Sequence, residues 1–231
     1  MSSPRDGRGN DASDADVPPR RSGPLDDVAW PEKLTARVVT PGPAPRIHGY
    51  DAEGDLARHY SWAETLLLTL TGELPSPASL RAFEIAMHFL APAPVNEAPT
   101  HAAIVARVCN VFTSALVGTA AITLAEQARH AVSPPSPESA PDADESASVD
   151  RLRDALRDAG LSVPGTEGTV GRTEALLATL RFAGLDRPEL QETAMVLARL
   201  PCALAEAFAT PAHGYRDYPV QLPDVRYLEK P

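Results

Sequence analysis

The 231-residue chain is 43% hydrophobic, enough for one buried core, while its 24 prolines and 14 glycines assign a sizeable share of it to loop or unfolded segments. Its formal charge of −10 excludes the concentrated basic face that a nucleic-acid surface or an anionic membrane patch requires, leaving small molecules or proteins as partners. The two cysteines, Cys109 and Cys202, lie far apart in apolar helical stretches and read as small core residues in a reducing compartment, not as a disulfide or metal framework.

Residues 1–27 mix charge, Ser, Gly and Pro with almost nothing to bury, so a disordered tail is expected. They contain no apolar h-region, and the longest apolar run, around Ala115 to Ala125, is too short to span a bilayer. A cytoplasmic protein is the expectation. The short "ARVVT" at Ala36 to Thr40 is the one run with strand character, so the fold class reads as all-α. Ser61-Trp62-Ala63-Glu64 is a capping box that starts a helix at Trp62, and Gly72 stops it. Ser76-Pro77 starts a second helix with Leu80, Phe83, Met87 and Leu90 on one face, ended by Pro92 and Pro94. From Thr100 to about His130 apolar residues fall on several faces, broken near Asn110 to Thr113, which predicts two core helices.

Ser133 to Val149 is acidic and rich in Pro, Ser and Ala, and reads as a solvated linker. Three helices follow: an amphipathic one over Asp150 to Ala159 closed by Gly160, one over Arg172 to Ala183 closed by Gly184, and a long one from about Asp186 to Ala209. The expected organisation is a tail over 1–27, a helical region over 28–132, the linker over 133–149, and a C-terminal helical region over 150–231 completing the same domain. There is no Gly-x-Gly-x-x-Gly, P-loop, Gly-x-Ser-x-Gly or zinc-type Cys/His spacing, and the six histidines form no i, i+4 pair, so no metal is expected.

"GYDAEGDLARHYSWAETLLLTLTGELP" resembles the signature of the citrate synthase superfamily, in which a Gly-Tyr-led short helix precedes a Ser-capped helix ending in Gly-Glu-Leu-Pro. "APTHAAIVARVCNVFTSALVGTAAITLAEQ" is similar to that family's next helix pair, "LARLPCALAEAF" to its Ala-Arg-x-x-Gly-x-x-Ala-His helix, and "LPDVRYLEKP" to its closing segment. The resemblance implies a citrate synthase-like large-domain helical bundle with the small domain largely missing. It also implies a dimer acting on oxaloacetate and an acyl-CoA, either in Claisen condensation or in the reverse citryl-CoA lyase reaction. No bound cofactor is implied; acetyl-CoA or CoA is the candidate substrate. That chemistry needs a base for the acetyl methyl proton, a donor for the enolate oxygen and cations for a dicarboxylate.

By the same resemblance, His101 and Arg199 match dicarboxylate-binding positions, although a solvent-capped helix-start histidine and a surface arginine describe them as well. His130 lies near the place of the family's His-Gly-Gly-Ala but lacks both glycines. The family's catalytic Asp falls on Thr173 or, with a one-residue shift, on Glu174, which also reads as a first-turn acid facing the helix dipole. No Gly-His pair occurs between Ala131 and Gly171, and Leu222-Pro223 stands where the family supplies an arginine across its dimer. Retained packing helices with an incomplete catalytic set point to a noncatalytic homologue, forming a homodimer or a heterodimer with a full-length family member. A divergent acyltransferase or lyase and a dicarboxylate or CoA sensor are the alternatives.

Overall fold

The computed structural model describes residues 33, 35–133 and 143–212. Contacts divide the chain into two units, 1–36 and 37–231. Of the first, only Lys33, Thr35 and Ala36 are described, all exposed. The expected tail over 1–27 and the closing segment with Leu222-Pro223 lie outside the described residues.

The second unit opens with a small antiparallel sheet, β1 (Val39–Thr40), β2 (Arg46–Ile47) and β3 (Tyr50–Asp51), with Val39 opposite Ile47 and Ile47 opposite Tyr50. His48 and Gly49 join β2 to β3 with φ of 48° and 90°, the left-handed pair that a two-residue hairpin uses. Asp51 then caps a π-helical turn over Ala52–Leu56, its carboxylate accepting from the Gly54 N–H at 2.6 Å and the Glu53 N–H at 3.0 Å. The Gly54 bond is the main reason its carboxyl is held below the usual value of 3.8. The turn runs into α1 (Ala57–His59).

Seven helices follow. In α2 (Trp62–Thr71) the capping box is complete: Ser61 Oγ accepts from the Glu64 N–H at 3.2 Å, and Glu64 accepts from the Ser61 N–H at 2.7 Å. Gly72 ends α2 at φ 86°. In α3 (Pro77–Leu90) Ser76 is the N-cap, and Phe83 and Leu90 of the expected apolar face are buried while Leu80 and Met87 are half-buried. The apolar stretch from Thr100 divides as expected into α4 (Ala98–Val108) and α5 (Thr113–Val132), separated by Asn110 at φ 54°. α6 (Ala143–Asp158), α7 (Arg172–Phe182) and α8 (Pro188–Ala209) complete the bundle. Among the described residues, no helix is long and apolar enough to cross a membrane.

Three sequence expectations change. Ala143 to Val149, read as part of the linker, is the start of α6, and Val149 is buried in the core with 1% exposure. Acidic composition hid a stripe: Val149, Leu152 and Leu156 recur at helical spacing and all three are buried, while Asp144 and Glu145 sit in the first turn, where negative charge complements the helix dipole. The helix expected over Asp150 to Ala159 therefore begins a turn or two earlier. Cys109 is exposed rather than core, because it lies at the C-terminal end of α4; Cys202 is half-buried. Third, the two apolar helices are not enclosed: Val105, Phe112 and Ile122 stand 40%, 86% and 67% exposed.

The main core gathers Leu67, Phe83, Leu90, Val149, Leu152, Leu180 and Leu185 from α2, α3, α6, α7 and the turn after α7. A second, smaller packing layer joins α4, α5 and α8 through Ala103, Leu116, Ala120 and Ala207. Alanines at these crossings let the helix backbones approach closely. Pro201 lies inside α8 and removes one helical hydrogen bond there.

Candidate functional site

Where α3, α5, α7 and α8 meet, a cavity of about 150 Å³ combines an apolar wall with four polar side chains: Gln127, Arg172, Thr173 and Arg199. Three of them, Gln127, Arg172 and Arg199, are held by hydrogen bonds.

Gly171 precedes α7 in an extended conformation and has no side chain to cap the helix. Glu145 from α6 supplies the missing acceptor, taking the Arg172 N–H at 2.9 Å. An arginine at the first position of a helix opposes the dipole. Here its guanidinium is anchored by neutral acceptors: Nε donates to Ser148 Oγ at 3.0 Å, and Nη2 donates to the Phe89 carbonyl at the end of α3. Burial holds its pKa below the usual arginine range, and repulsion from Arg199 adds to this, while Glu97 and Glu145 act in the opposite direction.

Arg199 projects from α8 and pairs with Glu97, the N-cap residue of α4; it also donates to the Pro92 carbonyl at 3.3 Å. Its side chain is 14% exposed and that of Glu97 30%. Gln127 of α5 donates to the same carboxylate at 2.8 Å. The Glu97 carboxylate thus ties α4, α5 and α8 together. Two polar atoms of this group, Arg199 Nε and Gln127 Oε1, are buried without a hydrogen-bond partner.

Of the residues singled out from sequence, Arg199 and Thr173 line the cavity. His101, His130 and Glu174 do not; all three side chains are exposed, on α4, α5 and the first turn of α7. Arg172, Gln127 and Glu97 carried no motif. The one available signal was Arg172 itself, a cation placed directly after a glycine at a helix start, where it is unfavourable unless something holds it. Among the described residues neither histidine nor carboxylate lines the cavity, and no group of three or more His, Cys, Asp or Glu converges to hold a metal ion.

A wider groove of about 610 Å³ runs along α2, α3 and α8, lined by Trp62, Leu66, Phe83, Met87 and Leu197.

No protein-family model matches the sequence, and no curated protein matches it. Solved structures do. The chain is similar to the citryl-CoA lyase of Hydrogenobacter thermophilus, with a TM-score of 0.64 at 16% identity, covering 86% of this chain and 95% of that one. It is also similar to an ATP citrate lyase of Methanosaeta concilii, a mutant in complex with (3S)-citryl-CoA, with a TM-score of 0.58 at 11% identity, covering 89% of this chain and 43% of that one. Nearly the whole of the first structure is matched. The chain therefore has the citrate synthase-like helical fold.

Proposed function

We propose that this chain is a noncatalytic citrate synthase-like subunit that assembles through α4, α5 and α8, as a homodimer or with a full-length homologue. The observation that carries the reading is the make-up of the cavity: Arg199 is present, but of the two positions on which the resemblance puts an aspartate Thr173 lines the wall and Glu174 does not, and among the described residues neither carboxylate nor histidine lines it. A threonine hydroxyl does not take a proton from a carbon acid at neutral pH. Without a base the enolate does not form, and loss of several groups that act together leaves mainly binding effects. The assembly half of the reading is supported by Phe112, Ile122 and Phe208, exposed by 86%, 67% and 50% on or beside α5 and α8. A two-fold partner would cover them.

A second reading, a citryl-CoA lyase-type enzyme, is favoured by one observation: 95% of a citryl-CoA lyase chain is matched, so the short interval between α5 and α7 is not by itself a loss. One experiment separates the two. The chain is co-expressed with a full-length citrate synthase homologue, its mass measured by light scattering, and CoA release followed from citryl-CoA and from oxaloacetate with acetyl-CoA. The noncatalytic reading expects an assembly larger than the monomer and no turnover by this chain alone. Robust turnover by the isolated chain overturns it in favour of the lyase.

A further inference from the structure

The cavity has an uneven charge balance. Two guanidiniums line it and no carboxylate does. Arg199 is already matched by Glu97, whose carboxylate also takes the Gln127 amide. Among the described residues the Arg172 guanidinium donates to a hydroxyl and a carbonyl and forms no ion pair; Glu145 accepts from its backbone N–H, and Glu97 and Glu145 act on the guanidinium from farther away. The lining therefore presents one guanidinium with no carboxylate bonded to it among the described residues, at the first turn of α7, where the helix dipole adds to the attraction for an anion. The rest of the lining is mainly apolar: Leu176, Leu177, Leu180 and Met195 offer no cation or donor from their side chains. A cavity of about 150 Å³ suits a molecule of a few carbons.

We infer that this cavity binds a short-chain monocarboxylate, its carboxylate on Arg172 and its hydrocarbon end against Leu176, Leu180 and Met195. The buried Arg199 Nε supplies a second donor for the carboxylate, and the buried Gln127 Oε1 accepts from a hydroxyl of the ligand or from an accompanying water. A dicarboxylate fits worse, since its second anionic group would be pressed against leucines without a counter-charge, and burying an unpaired charge is costly. The inference goes beyond the noncatalytic role and does not depend on it: it concerns the isolated chain.

The test is calorimetric titration of the full chain with butanoate, butanamide, succinate and sodium sulfate. Saturable butanoate binding is expected, with succinate, sulfate and the neutral amide each at least about tenfold weaker. Thr173→Glu places a carboxylate on the cavity wall beside Arg172 and should abolish butanoate binding; as an acid in the first turn of α7 it favours the helix, so the melting temperature should hold or rise. Arg172→Gln should also lose binding. The inference is overturned by absence of saturable butanoate binding, by equal binding of butanamide, by sulfate or succinate binding as tightly as butanoate, or by a folded Thr173→Glu that binds like the parent. The ligand series is read on the parent protein, so it decides the matter even where a variant does not fold. Failure to pair with a homologue would leave this result intact, and failure here would leave the pairing test intact.

Discussion

The pair formed by Arg199 and Glu97 is where a substrate-binding arginine and a structural one make different demands. Fully exposed ion pairs contribute about 0–1 kcal/mol, and removing one partner of a fully buried pair costs about 3–5 kcal/mol. With 14% and 30% side-chain exposure this pair lies between those limits, and it has two further bonds, from Gln127 to Glu97 and from Arg199 to the Pro92 carbonyl. Arg199→Ala should therefore destabilise the fold by about 2 kcal/mol, including the lost packing of its stem. Glu97→Gln, which keeps the shape, should cost about 1 kcal/mol. Because both changes break one interaction, the double variant should cost about 1 kcal/mol less than the sum. For a domain of this size, 2 kcal/mol corresponds to a melting shift of about 4–8 °C. Urea denaturation of the four proteins measures the cycle. Additive costs, within about 0.5 kcal/mol, would refute the clamp and return Arg199 to the role of a ligand-facing cation held by nothing else.

Three further outcomes follow from the fold. Leu152→Ala, at a site 1% exposed in α6, should cost about 2–5 kcal/mol in urea denaturation; a loss under 1 kcal/mol would mean that the segment following the acidic stretch is not part of the core. Replacing Phe112 and Ile122 together with serine should leave the far-ultraviolet circular dichroism unchanged but shift light scattering to the monomer, and an unchanged mass would remove α5 from the interface. The Asp51 carboxyl titrates below 3.8 in the folded chain, so its support of the π-helical turn is fully present above that pH and lost as pH falls through the lower folded value; the Gly54 amide resonance should report this, and Asp51→Asn should abolish the titration.

Local chemistry made the helices legible and left the site largely illegible. Ser61 with Glu64, Gly72, Ser76 with Pro77, and the break at Asn110 are signals confined to a few neighbouring residues, and each helix boundary that depends on them falls where the sequence places it. The start of α6 is not legible because the polar and acidic residues from Asp144 to Ser148 continue the composition of the stretch before them, and the apolar spacing begins only at Val149. The cavity is harder still, since its polar lining comes from positions 127, 172, 173 and 199, and only their meeting in space makes them a site. Arg199 and Thr173 were reached through resemblance. Glu97, which decides whether Arg199 is available, lies 102 positions away from it and belongs to no motif.

On the noncatalytic reading proposed above, the fold and the reaction part company at two adjacent residues. A Claisen-type active site must remove a proton and then hold the resulting negative charge, and these tasks fall to different groups. By the resemblance the first task falls on Glu174, whose side chain is exposed and does not line the cavity, or on position 173, a hydroxyl. At position 172 a guanidinium stands beside it, tied by Ser148 and Phe89 to the neighbouring helices and free of a matching carboxylate on the cavity wall. Restoring an acid at 173 next to that guanidinium would lower the acid's pKa and weaken it as a base, so a single reversion would not recover the chemistry. On the proposed reading the two positions favour the same outcome: a wall that attracts an anion delivered from outside and does not make one.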